Sequence, residues 1–147
     1  MNMTNVDLSQ NPDLFYKGDR ILLHISSGNR DISKEMLENK IRFVEVIPDF
    51  YYILASGYLM QCLNATLYDH LIKNRGFIPN SWKGYKKIRF LGSLFRCDGT
   101  VHFRCLTWDD EQWDSGCSGN DDVVLFQEGY PAFLRKQERI QIPLWCD

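Results

Sequence analysis

The stretch SLFRCDGTVHFRC, Ser93–Cys105, places two strand-like runs on either side of Asp98-Gly99. An Asp-Gly pair between alternating apolar residues is a strong signal for a two-residue hairpin, because both central positions of that turn need positive φ. The turn sets a register in which Cys97 faces Thr100, Phe95 faces His102 and Leu94 faces Phe103. Side chains alternate between the two faces of a sheet. One face is therefore expected to carry Ile88, Phe90, Leu94, Val101, Phe103 and Cys105. The other is expected to carry Arg89, Phe95, Cys97, His102, Arg104 and Trp108.

Two cysteines and a histidine in this hairpin raise the question of zinc. A structural zinc site needs four converging ligands. Cys97 and His102 share a face in this register, Cys105 points to the other, and the chain contains no C-x-x-C pair. No metal and no other cofactor is expected, and Cys105 reads as a small buried hydrophobe.

Working outward, further strands are expected at Lys86–Cys97, Thr100–Trp108, Asp122–Gln127 and Arg139–Ile142. On the N-terminal side, Arg20–Ile25, Ile41–Ile47 and Phe50–Ser56 read as strands, and SSGNRD as a turn. Ser33–Lys40 reads as a helix capped by Ser33. Leu59, Leu63, Leu67 and Leu71 recur at four-residue steps, the stripe of one main helix over about 58–75, with Gly76 in the C-terminal role. Residues 1–18 are polar and broken by Asn11-Pro12, so they are expected to be loosely ordered. The pattern predicts a single α+β domain with a mostly antiparallel sheet, one main helix and a β-rich C-terminal half.

A chain of 147 residues with 14% aromatic residues can bury a real core, which argues against extensive disorder. Five cysteines form an odd, irregularly spaced set, and the N-terminus lacks a basic start followed by an apolar run. Both features suit reduced thiols in the cytoplasm. The run Phe50–Tyr68 has no charge, but Ser56, Gly57, Gln61, Asn64 and Thr66 interrupt it. It reads as a buried core segment and not as a membrane span, which needs about 20 mainly apolar residues.

Motifs for catalysis are weak. The chain has no G-x-S-x-G, no P-loop and no G-x-G-x-x-G. His24, His70 and His102 lie on a strand, a helix and a hairpin, where a lone histidine is more often structural. Cys97 and His102 lack an orienting third group, so a nucleophilic pair is not expected.

Charge layout carries more information. Lys73, Arg75, Lys83, Lys86, Lys87, Arg89, Arg96 and Arg104 face a single acid, Asp98, within 73–104. From Cys105 to Leu134 there is no Lys or Arg, and the acids are Asp109, Asp110, Glu111, Asp114, Asp121, Asp122 and Glu128. The acids concentrate in TWDDEQWDSGCSGNDD, which reads as a long loop. The expected partner-binding set is Trp108, Asp109, Asp110, Glu111, Trp113, Asp114, Asp121 and Asp122, with Trp113 as the apolar anchor. The expected partner is a protein with a basic surface, such as a nucleic-acid-handling toxin or defence enzyme. The chain would then act as an inhibitor, of the toxin-immunity or phage counter-defence kind. Two alternatives remain. A nucleic-acid-binding domain would use the basic strip 73–104 with Phe77, Trp82 and Tyr85, and a metal-dependent enzyme would use Asp109, Asp110 and Asp114.

Overall fold

The computed structural model describes residues 2–46, 58–85, 87–97, 100–118 and 140–146. The fold is α+β, with antiparallel strand pairs throughout the described residues. In chain order the elements are β1 (Thr4–Asp7), β2 (Arg20–His24), β3 (Asn29–Ile32), α1 (Lys34–Lys40) and β4 (Ile41–Val46). Then come α2 (Ala65–Lys73), β5 (Ile88–Cys97), β6 (Thr100–Trp108), β7 (Trp113–Ser118) and β8 (Ile140–Trp145). A four-stranded sheet runs β2-β5-β6-β7, and two ribbons, β1–β3 and β4–β8, accompany it. No helix among the described residues is long and apolar enough to cross a membrane.

The β5–β6 hairpin has the expected register only near its turn. Cys97 pairs with Thr100 and Phe95 with His102, but Phe90 pairs with Arg104 and Ile88 with Leu106. Between these sets β5 spends three more residues than β6, and Leu94 loses Phe103 as its partner and aligns with Leu23 of β2. An odd slip exchanges the two faces of a strand. Ile88 and Phe90 therefore lie on the His102 and Arg104 side, contrary to the even alternation expected from the turn. They enter a core with Leu67, Tyr68, Leu71, Trp82 and Leu106. Leu91, Leu94, Val101 and Phe103 pack instead with Ile142 and Leu144 of β8. The irregularity thus gives one strand an apolar contribution to both faces.

The cause is a polar node beneath the sheet. Gly92 N–H donates to Leu63 O at 2.9 Å, and Gly92 O accepts from Ile25 N–H at 2.7 Å. A Cβ on Gly92 would stand 2.6 Å from Cys62 O and 2.7 Å from Leu63 O, so the approach requires glycine. Ser93 Oγ accepts from Ala65 N–H at 2.8 Å and reaches His24 Nδ1 at 2.8 Å. Asn64 donates to Leu8 O and Ile25 O, and its Oδ1 accepts from Leu67 N–H at 3.0 Å.

Asn64 is also the N-cap of α2, in extended backbone conformation, which explains why the leucine stripe is not one helix over 58–75. Tyr58–Gln61 form a 3-10 turn, and the α-helix starts only at Ala65. Leu59, Leu63, Leu67 and Leu71 are nevertheless all buried, so the stripe marks core residues across two elements. Asn74, and not Gly76, ends the helix: its backbone N–H bonds His70 O at 3.0 Å, as does its side-chain amide. The helix α1 starts as expected, with Met36 N–H donating to Ser33 Oγ at 3.0 Å.

Four strands differ from expectation, and the first is β3, which occupies Asn29–Ile32 where SSGNRD is expected to be only a turn. The segment expected to be loosely ordered contains β1, which pairs with β3, and the fully buried Leu8. The sequence read as a long acidic loop contains β7, whose register runs from Trp108↔Trp113 to Phe103↔Ser118. β8 continues through Pro143 to Trp145, because it pairs with β4 along its whole length. The strands expected at Phe50–Ser56 and Asp122–Gln127 lie outside the described residues, as does the Asp98-Gly99 turn.

Candidate functional site

The acidic segment between β6 and β7 is a tight turn. Asp109 N–H donates to Gln112 O at 3.2 Å. The Asp109 carboxylate accepts from Glu111 N–H at 3.0 Å and Gln112 N–H at 2.8 Å. Those bonds to Gln112 and Glu111 hold the Asp109 carboxyl below its ordinary value. Asp110 sits at φ 81°, a left-handed conformation that a non-glycine residue adopts at a cost. Asp109, Asp110, Glu111 and Gln112 are exposed, and Asp114 is partly so. The neighbouring Asp109 raises the Asp114 carboxyl, with lesser help from burial; the charge of Arg75 opposes it. The two acids are crowded, and a cation would relieve them.

Trp113 is not the exposed anchor expected from sequence. It opens β7, is 5% exposed and belongs to the core with Phe90 and Leu106. Trp108 lies 5.3 Å from it between ring centroids and is half-buried, with Lys83 Nζ 4.0 Å above its ring. Asp121 and Asp122 lie outside the described residues. Of the expected set, the structure gathers Trp108, Asp109, Asp110, Glu111 and Asp114 at one hairpin end.

The basic strip does not form one exposed band. Lys73, Arg75 and Lys83 are exposed, but Arg104 is fully buried. The interleaved aromatics turn inward: Trp82 is 2% exposed, Tyr85 stacks on Phe43 at 3.9 Å, and Phe77 lies 5.3 Å from the His70 ring. A base-stacking surface needs open ring faces, which these residues do not offer together.

A buried polar cluster that the sequence did not signal lies under Phe15 and Tyr16. Asp19 Oδ1 meets His102 Nε2 at 2.9 Å, and its Oδ2 lies 3.7 Å from Arg104. Asp19 Oδ2 also accepts from Phe15 N–H at 3.1 Å and Tyr16 N–H at 3.2 Å. Burial pushes the Asp19 carboxyl up, but the bonds from His102, Tyr16 and Phe15 outweigh it and hold it below the usual value. Arg104 donates to Asp13 O at 3.0 Å, and its guanidinium is sandwiched between Phe15 and Phe95 at 3.9 and 3.8 Å.

An Asp–His pair suggests acid–base chemistry, and Asp19 is the orienting group absent from the sequence pattern. Yet Arg104 has only donors, so His102 Nδ1, 3.5 Å from Arg104, serves as acceptor while Nε2–H faces Asp19. Neither ring nitrogen is left for a substrate. The cluster fastens residues 13–19 to the sheet. His24 is engaged in the same way, between Ser93 and Leu8 O. Cys97 lies on the His102 side of β5, and Cys105 on the opposite side of β6. Among the described residues no group of three or more His, Cys, Asp or Glu is placed to hold a metal ion.

Comparison with protein-family models, with curated proteins and with solved structures finds no match. The functional reading therefore rests on the site's own chemistry.

Proposed function

We propose that this chain is a single-domain, cytoplasmic protein-binding module that docks a basic protein surface through the β6–β7 turn. The observation that carries the reading is the acidic turn itself. Asp109, Asp110, Glu111 and Asp114 sit together on a turn held by Asp109, above a tryptophan pair rooted in the core. Preorganised charge loses little freedom when a partner binds. Crowding between Asp109 and Asp114 adds a reason to accept a cation. Trp108 takes the place of Trp113 as the aromatic at the edge of the surface, once Lys83 moves from its ring. A basic partner that handles nucleic acid fits this charge, which makes an inhibitor of the toxin-immunity or counter-defence kind the sharpest form of the reading.

The test begins with capture of the partner from a host lysate on immobilised protein and its purification. Surface kinetics then compare wild type with Asp110→Asn/Glu111→Gln, which removes the charges and keeps at position 110 a residue that tolerates positive φ. Rim charges act mainly on association and its salt dependence. The double variant is expected to associate more slowly, with a flatter dependence on salt and an unchanged melting temperature. Wild-type kinetics in that variant, with binding abolished by Arg75→Ala/Lys83→Ala, would move the functional surface to the basic residues.

A further inference from the structure

Arg20 of β2 and Arg96 of β5 stand directly opposite each other, at the end of the four-stranded sheet next to the β5–β6 turn. Residues paired in this way put their side chains on one face, with Cβ atoms about 4.5–5.5 Å apart. We propose that this arginine pair, with Lys17, docks the acidic β6–β7 turn of a second copy of the chain. The inference rests on the reading of that turn as a docking surface, and it makes a second copy and the basic partner competitors for it.

Like charges directly opposite on a sheet are destabilising, so the fold carries a repulsion that an anionic group relieves. Among the described residues neither arginine makes an ion pair. Arg20 is exposed and Arg96 half-buried, and Arg96 Nε is buried without a hydrogen-bond partner. A guanidinium partly removed from water is screened less by salt than an open one. Lys17 is exposed in the turn that leads into β2, closed by Asp19 N–H donating to Tyr16 O at 3.0 Å. Gly18 takes φ 90° there, the left-handed conformation that the third place of a type II turn requires. The neighbouring Asp19 turns inward to His102 and Arg104. Asp98, two places beyond Arg96 in the chain, is one acid against three cations.

Charge and distance name the occupant. Asp109, Asp110 and Glu111 are exposed, Asp114 is partly so, and the bonds of Asp109 hold the turn in one shape. Arg75 and Lys83 lie beside it, Arg75 acting on Asp114 and Lys83 over Trp108, and the four acids outnumber them. Arg96 pairs with Val101 at one end of β6, and the acidic turn follows Trp108 at the other. From Val101 to Trp108 the extended strand spans roughly 24 Å, against a screening length of about 8 Å at physiological salt. The arginine pair and the acidic turn of one molecule therefore do not neutralise each other, and each meets its complement on a neighbour. Complementary surfaces of this kind steer encounter and fix register between proteins. A polyanion such as nucleic acid would suit the arginines alone, whereas a second copy answers both ends of the sheet.

The experiment is sedimentation velocity of the full chain from micromolar to millimolar concentration, at low salt and at about 1 M sodium chloride, where the screening length falls to about 3 Å. A species larger than the monomer is expected at low salt and is lost at high salt. Growth past two copies assigns an open row, and arrest at two assigns a reciprocal dimer. Arg20→Glu turns the like pair into an opposite pair with Arg96. It is expected to abolish association with the melting temperature unchanged or raised. Lys17→Gln, outside the sheet, is expected to weaken association with an unchanged melting temperature. Asp110→Asn/Glu111→Gln is expected to lose association as Arg20→Glu does. Mixed, these last two variants are expected to form a heterodimer, because one keeps the arginine pair and the other the acidic turn. Lys40→Glu on α1 makes the same charge change outside both surfaces and is expected to associate as wild type. The proposal is overturned by a wild type that stays monomeric at low salt, by association that salt does not weaken, by no heterodimer in the mixture, or by an equal loss in Lys40→Glu. A monomeric wild type would leave the kinetics with the captured partner to decide the acidic turn itself, so the two readings fail separately.

Discussion

Replacing Asp19 with Ala tests the claim that a buried ionic cluster fastens the N-terminal segment. The Asp19 side chain is fully buried and faces His102 at 2.9 Å and Arg104 at 3.7 Å. It also caps the backbone N–H groups of Phe15 and Tyr16. Each buried polar group that loses its acceptor costs about 1–3 kcal/mol, and removing one member of a buried ion pair costs about 3–5 kcal/mol overall. The upper end is reached only if the segment cannot relax. Here Asp13 remains tied to the body through Arg104 and through Asp69, which accepts from Asp13 N–H at 2.7 Å. We therefore expect Asp19→Ala to lose about 3–4 kcal/mol. The assay is equilibrium urea unfolding, read by tryptophan fluorescence and far-ultraviolet circular dichroism. Asp19→Asn supplies the pH control. The folded carboxyl is held below its unfolded value, which is about 3.9. Its contribution is therefore fully present above that value and is lost as pH falls through the lower folded value. The stability gap between wild type and Asp19→Asn is expected to be constant near neutrality and to close in that acid window. A loss below about 1 kcal/mol in Asp19→Ala, well under the range for a buried pair, would show that the Asp19 cluster does not fasten residues 13–19.

Other substitutions test the core. Gly92→Ala is expected to cost about 1–3 kcal/mol or more, because its Cβ would meet two backbone oxygens below 3 Å; unchanged denaturation would deny the close approach of β5 to Leu63. Leu67→Ala removes a fully buried side chain of α2 and is expected to cost about 2–5 kcal/mol in chemical unfolding. Trp113→Ala is expected to cost about 3–5 kcal/mol in the same assay, since Trp113 lies in the core; a neutral effect on stability would return it to the role of exposed anchor.

Local patterns in the sequence determined several elements. Asp98-Gly99 between apolar runs is enough to place β5 and β6 and to align Cys97 with Thr100, because a two-residue turn leaves its flanking residues little choice. Ser33 predicts the start of α1, since an N-cap acts within one turn. The leucine spacing predicts which residues are buried. The same spacing does not predict one continuous helix, because Asn64 has long-range duties to Leu8 and Ile25 that hold it in extended conformation.

What the tertiary structure alone decided arises from contacts between distant residues. The slip in β5 follows from Gly92 and Ser93 bonding the 62–65 segment; a glycine inside a strand marks a bulge or a close approach, but the backbone that approaches it lies about thirty residues away in the chain. β1, β3 and β7 are rich in Asn, Asp, Ser and Gly, which disfavour strands locally; they become strands because a partner edge satisfies their backbone groups. The acidic turn is legible as charge, but the inward packing of Trp113 depends on a core that closes around it. Asp19 and His102 are separated by 83 positions, and Arg30 and Trp145 by more than a hundred. Neither pair has any local spacing to read, so the buried cluster and the stack of Arg30 on Trp145 exist only once the fold has brought their parts together.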